Sequence, residues 1–63
     1  MKFTLKQARK HADKTQLEMA KILGISRDTY MKLERSPEEV TIKQALIISN
    51  ITGIPYDDIF FTN

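Results

Sequence analysis

Arg27, Asp28 and Lys32 pose the first chemical question of this chain. They lie in residues 24–34, GISRDTYMKLE, where beyond Ser26 apolar side chains stand only at Tyr30, Met31 and Leu33. A helix with so polar a face is either simply solvated there or docks something charged. Catalytic chemistry has little support. The sequence has no cysteine and a lone His11, so thiolate metal sites and disulfides are excluded and one imidazole cannot build a site alone. No serine or carboxylate stands at catalytic spacing from His11, and no glycine-rich phosphate loop is present. The reading is non-enzymatic, with no cofactor, no metal and no small-molecule ligand.

Charge points to a polyanion. Residues 1–35 hold nine Lys/Arg and four Asp/Glu, a net of +5. Residues 36–63 hold one Lys and four Asp/Glu, a net of −3. A basic half beside an acidic half fits one face built for a polyanion, against the alternative of chance surface asymmetry. No apolar run approaches the roughly 18 residues of a membrane span. The N-terminal stretch MKFTLKQARKHADK does not resemble a signal peptide. The expectation is a soluble intracellular protein, one domain over residues 1–63, without a membrane partner.

The elements that must position the charged face are legible as helices. Apolar residues recur at three and four, without repeats or low-complexity tracts. Thr4…Gln7, Thr15…Glu18 and Thr41…Gln44 fit the capping box, in which a hydroxyl and a side chain three residues on satisfy each other's free amides. Each such cap contributes roughly 1 kcal/mol. That matters in a 63-residue chain, which buries only about 60% of its unfolded surface. Ser26 is a fourth cap, and Pro55 suits a first turn. Asp13, Gly24 and Gly53 suit positions just past helix ends, and Pro37 stops the third helix. The spacing predicts an all-α fold with five helices at about 4–12, 16–23, 27–35, 42–52 and 55–60. The expected core is Leu5, Ala8, Leu17, Ala20, Leu23, Ile25, Leu33, Ile42, Ala45, Leu46, Ile48, Ile59 and Phe60.

Only Gly24, Ile25 and Ser26 join the second and third helices. So short a link forces a tight turn, for which Gly24 supplies the positive φ. Ala20 permits a close crossing. Ile25 plugs the corner, with Leu17, Met19, Leu23, Tyr30 and Leu33 around it. This is a helix-turn-helix whose second helix presents a polar face outward.

At this point TQLEMAKILGISRDTYMKLE resembles the helix-turn-helix of the phage repressor and Cro type, the XRE-like regulators. The matching positions are Thr15-Gln16, Ala20, Gly24, Ile25-Ser26 and Glu34. LKQARKHADKTQ is similar to the family's first helix and IKQALIISNITGIPYDDIFF to its last two, so the resemblance covers about 60 of the 63 residues. It implies a compact five-helix repressor-like domain that binds double-stranded operator DNA in the bacterial or phage-infected cytoplasm, at the nucleoid.

The resemblance also implies residue roles. The start of the recognition helix enters the major groove, which gives base reading to Arg27, Asp28, Met31 and Lys32. Arg27 suits guanine O6 and N7, and Asp28 a cytosine amine. Asp28 also has a plainer reading, as a carboxylate favoured by the helix dipole. Gln16 and Thr29 match phosphate-contacting positions, and Lys14, Lys21 and Arg35 add charge near the backbone. Arg9 and Glu34 match an internal salt bridge. Relatives bind as dimers on half-sites about 34 Å apart, and Ile47 and Phe61 are the expected weak homodimer patch, unless they are core.

Some positions depart from the family pattern. Ser36, Pro37 and Val40 replace the usual glycine, cation and proline. Glu38 and Glu39 fill a loop that in relatives helps hold phosphate. Lys14 stands where an apolar residue is usual, its stem covering the core. The acidic loop gives weight to an alternative: a protein-interaction module on the same fold, antitoxin-like or an anti-repressor partner.

Overall fold

The computed structural model describes residues 3–60, with side chains through residue 59. Five α-helices follow one another: α1 (Leu5–His11), α2 (Gln16–Leu23), α3 (Arg27–Arg35), α4 (Ile42–Thr52) and α5 (Tyr56–Phe60). Among the described residues there is no strand. The one extra element is a single 3-10 turn, Pro37–Glu39, between α3 and α4. Pro37 opens it, its ring pre-setting φ where no amide hydrogen is needed.

The helix starts are the three capping boxes. Thr4, Thr15 and Thr41 each accept the backbone amide three residues on at 3.1 Å. Gln7, Glu18 and Gln44 accept the cap amides in return at 2.9, 2.8 and 2.9 Å. Ser26 Oγ caps α3 by accepting from the Thr29 amide at 3.1 Å. Asp13, Gly24 and Gly53 take positive φ values of 58°, 71° and 72°. Backbone also joins the segment before α1 to α5: the Phe3 amide donates to the Asp58 carbonyl at 2.6 Å.

The core gathers Leu5 and Ala8 of α1, Met19 and Ala20 of α2, Tyr30 and Leu33 of α3, Ile48, Ile54 and Ile59. Phe3, Leu23, Ile25 and Val40 pack on its edge. Three expected core residues lie outside. Leu17 is 49% exposed, Ile42 73% and Leu46 56%. In α2 the inward stripe runs through positions 16, 19, 20 and 23: Ala20 and Leu23 stand as expected, but the stripe begins on a polar residue, Gln16, and Leu17 falls outside it. In α4 the inward stripe is Ala45, Ile48 and Thr52. Ile42 and Leu46 form a second apolar face on the same helix, and periodicity cannot tell two apolar faces apart. Met19 and Tyr30, expected around the corner at Ile25, are among the most deeply buried side chains. Ile54 is added to the core by the turn after Gly53, where Ser49 Oγ donates to its carbonyl at 2.7 Å. Phe60's side chain and Phe61 lie outside the described residues.

Candidate nucleic-acid interface

The α2–α3 pair begins with its turn. Gly24 is left-handed, and the Ile25 amide returns to the Ala20 carbonyl at 3.0 Å, closing α2. No atom lies within 4 Å of where a Gly24 Cβ would stand, so its requirement for glycine is conformational, not spatial. The turn sets α3 across α2, with Tyr30 and Leu33 buried against the core.

The opposite face of α3 is open. Arg27, Asp28, Thr29, Lys32 and Arg35 are exposed, and Met31 is half-buried. At 100° per residue, Asp28, Met31, Lys32 and Arg35 share the middle of this face. Arg27 sits at the edge nearest α2 and lines a shallow open concavity with Arg9, Lys14, Thr15, Gln16 and Leu17. No carboxylate is among these lining residues. Lys21, exposed, follows Leu17 one turn along α2. The first amides of α2 add partial positive charge, so the concavity suits an anion.

A buried charged network fixes this arrangement. Arg9 Nε donates to Glu34 Oε2 at 2.7 Å, the two side chains being 10% and 8% exposed. Arg9 Nη1 donates to the Lys14 carbonyl at 3.0 Å, and Gln16 Nε2 donates to Glu34 Oε1 at 3.1 Å. The Glu34 carboxylate thereby ties α1 and the first residue of α2 to α3, and Arg9 adds the turn before α2. Burial alone pushes the Glu34 carboxyl upward. The hydrogen bonds from Arg9 and Gln16, with the nearby Tyr30 hydroxyl and the Arg9 charge, outweigh it and hold the group below its ordinary value. Tyr30 is affected in the other direction. Burial, then the Glu34 carboxylate, raises its phenol well above the ordinary range, with Arg9 opposing. The Tyr30 hydroxyl makes no hydrogen bond of ordinary geometry, though it lies close enough to Glu34 to feel its charge.

Two features of the site escaped the sequence reading. Lys32 Nζ is 3.4 Å from Glu39 Oε1, both side chains exposed. The 3-10 turn folds the acidic loop back along α3, and Pro37 is the signal that announces it. Leu17 is the second: it is an apolar wall beside Arg27, not core. Thr29 Oγ1 accepts from Ser26 Oγ at 2.9 Å, which orients one of the expected phosphate contacts. Ile47 is half-buried on the outer side of α4.

An all-α chain with a glycine-turned helix pair and an unpacked polar face on the second helix is a helix-turn-helix protein. Its family follows from comparison. A model of the helix-turn-helix family matches residues 5–59, and the chain belongs to the XRE-type branch of that family. It is 37% identical over 60 residues to an uncharacterized HTH-type transcriptional regulator, MJ0272, of Methanocaldococcus jannaschii, covering 95% of this chain and 91% of that one. No solved structure matches it significantly. Membership of this family points to a DNA-binding regulator, in a family generally without enzymatic activity. No helix among the described residues is long and apolar enough to cross a membrane.

Proposed function

We propose that the chain is a sequence-specific double-stranded DNA-binding transcriptional regulator of the Cro or repressor kind, acting in the cytoplasm at the nucleoid. It occupies an operator with α3 in the major groove. Arg27, Asp28, Met31 and Lys32 read base edges. Gln16, Thr29, Lys14, Lys21 and Arg35 hold phosphates. The observation that carries this reading is the pairing of α3's unpacked polar face with the adjacent carboxylate-free concavity at the start of α2. Glu34 supports it by holding the Gln16 amide at 3.1 Å, which leaves the Gln16 carbonyl and its second hydrogen for a phosphodiester.

A pair of copies binds two half-sites about 34 Å apart, as two-fold symmetry demands of a helix-turn-helix on straight DNA. Ile47 belongs to the surface that joins them. The test is selection of bound sequences from random double-stranded DNA. A recurring palindrome with that spacing supports the reading, and a pool without enrichment contradicts it.

One observation favours a second reading. Glu38 and Glu39 are exposed beside the end of α3, where carboxylates repel phosphate and attract a basic protein surface. A protein-interaction module on this fold binds no DNA in the same selection.

A further inference from the structure

The concavity at the start of α2 has an apolar wall that phosphate binding does not explain. Leu17 is 49% exposed and lines the hollow with Arg9, Lys14, Thr15, Gln16 and Arg27. An exposed leucine alone signifies little. This one stands among cations, an amide and a hydroxyl, in the hollow that suits a polyanion. A polar side chain there would add phosphate contact without sequence preference. Leucine asks for an apolar group on the same ligand.

Position narrows that group. Leu17, Lys21 and Gly24 follow one line of α2, at i, i+4 and i+7. The line ends in the turn to α3, so Leu17 lies on the side where α3 begins. Arg27 is the first residue of α3, and the two side chains border the same hollow. Their spacing is fixed, because Gln16, the neighbour of Leu17, donates to Glu34 of α3 at 3.1 Å.

We infer that Leu17 is a specificity-determining residue that packs on the C5 methyl of a thymine, on the base pair next to the guanine that Arg27 bonds. The inference rests on the DNA reading of α3. The thymine methyl is the apolar group that base edges offer in the major groove. It lies toward the phosphates of its own strand, whereas guanine O6 lies near the middle of the groove. Reach sorts the two side chains in the same way. Leu17 is short and sits beside Lys14 and Gln16, at the phosphate edge. Arg27 is longer and crosses to the guanine. Two helices thus read one two-base step.

Uracil differs from thymine only by that methyl, so the contact can be deleted from the DNA while base pairing stays intact. Thymines of the DNA selected from a random pool are replaced by uracil one at a time. Each duplex is titrated with the native chain, Leu17→Ala and Leu17→Met. At one thymine of each half-site, beside the guanine whose selection Arg27→Ala loses, uracil should weaken the native chain about fourfold, the effect of one buried methyl group. Leu17→Ala should bind the thymine and uracil duplexes equally. Leu17→Met keeps a similar apolar volume and should keep most of the difference. Thermal unfolding of both variants should stay cooperative, since Leu17 is half exposed.

A native chain indifferent to every uracil overturns the inference, and this arm needs no variant to fold. A selected site without a thymine beside that guanine overturns it too. So does a uracil loss that persists undiminished in Leu17→Ala, which gives the methyl to another residue. A pool with no enriched sequence refutes the DNA reading and this inference together. An enriched site without the uracil effect refutes this inference alone.

Discussion

Arg9 and Glu34 join α1 to α3 through a single 2.7 Å contact between two nearly buried side chains. The pair is framed by the Lys14 carbonyl and the Gln16 amide, so four segments depend on it. Removing one partner strands a buried charge. Arg9→Met should lower unfolding free energy by roughly 3–5 kcal/mol, whereas Arg9→Met with Glu34→Leu should recover most of that loss. Urea titration of the two variants checks both. Equal destabilisation of single and double variants would show that the pair itself, rather than a stranded charge, holds the helices.

Acid sensitivity follows from the same carboxylate. Glu34 binds its proton less readily in the folded chain than in the unfolded one. Between the two pKa values the unfolded state holds more protons, so stability rises with pH. The contribution is full above the ordinary value near 4.5 and is lost as pH falls through the lower folded value. Thermal midpoints measured from pH 6 down to 2 should fall more steeply for the native chain than for Glu34→Gln. A parallel pair of curves would assign the acid transition to other carboxylates.

Tyr30 fills the core but leaves its hydroxyl without a hydrogen bond. Tyr30→Phe removes the hydroxyl's desolvation cost but also its support of the Glu34 carboxylate, so it should change unfolding free energy by no more than about 1 kcal/mol. Burial, then the Glu34 carboxylate, holds the folded phenol above its ordinary value of 10.0. Stability therefore declines as pH rises past that value, and the decline should be smaller in Tyr30→Phe. A clear loss of stability at neutral pH in this variant would show that the hydroxyl is bonded in solution.

The contact of Lys32 with Glu39 sets a carboxylate against DNA for the same ammonium. Exposed pairs contribute roughly 0.2–1 kcal/mol, so Glu39→Gln should tighten DNA binding by up to about fivefold. The salt slope should steepen as the freed lysine displaces a counterion. Glu38→Gln, one residue away, removes the same charge without touching Lys32 and should have the smaller effect. Equal gains in both variants would reduce Glu39 to a general repulsive charge.

Much of this architecture is written locally. The three capping boxes, Ser26 and the left-handed Asp13, Gly24 and Gly53 are short-range signals, and they place the helices within a residue or so of where they stand. The outward face of α3 was equally readable, because Tyr30 and Leu33 leave only one side for the charges. What could not be read depends on partners distant in sequence. Gln16 looks like surface until Glu34, eighteen residues on, receives its amide. The choice between α4's two apolar faces is made by α1 and α5, not by α4. The reach of Glu39 back to Lys32 depends on a 3-10 turn whose closing bonds, not its residue types alone, set its direction.

The proposed DNA-reading surface comprises α3 and the start of α2. It is tested most directly by titrating the chain and Arg27→Ala against the DNA selected from a random pool, across a range of salt. A DNA-reading surface here predicts that log K falls linearly with log salt for both proteins. It also predicts that Arg27→Ala loses roughly 1–3 kcal/mol of discrimination at one position of each half-site. Absence of salt-dependent binding to any sequence in the pool would contradict it.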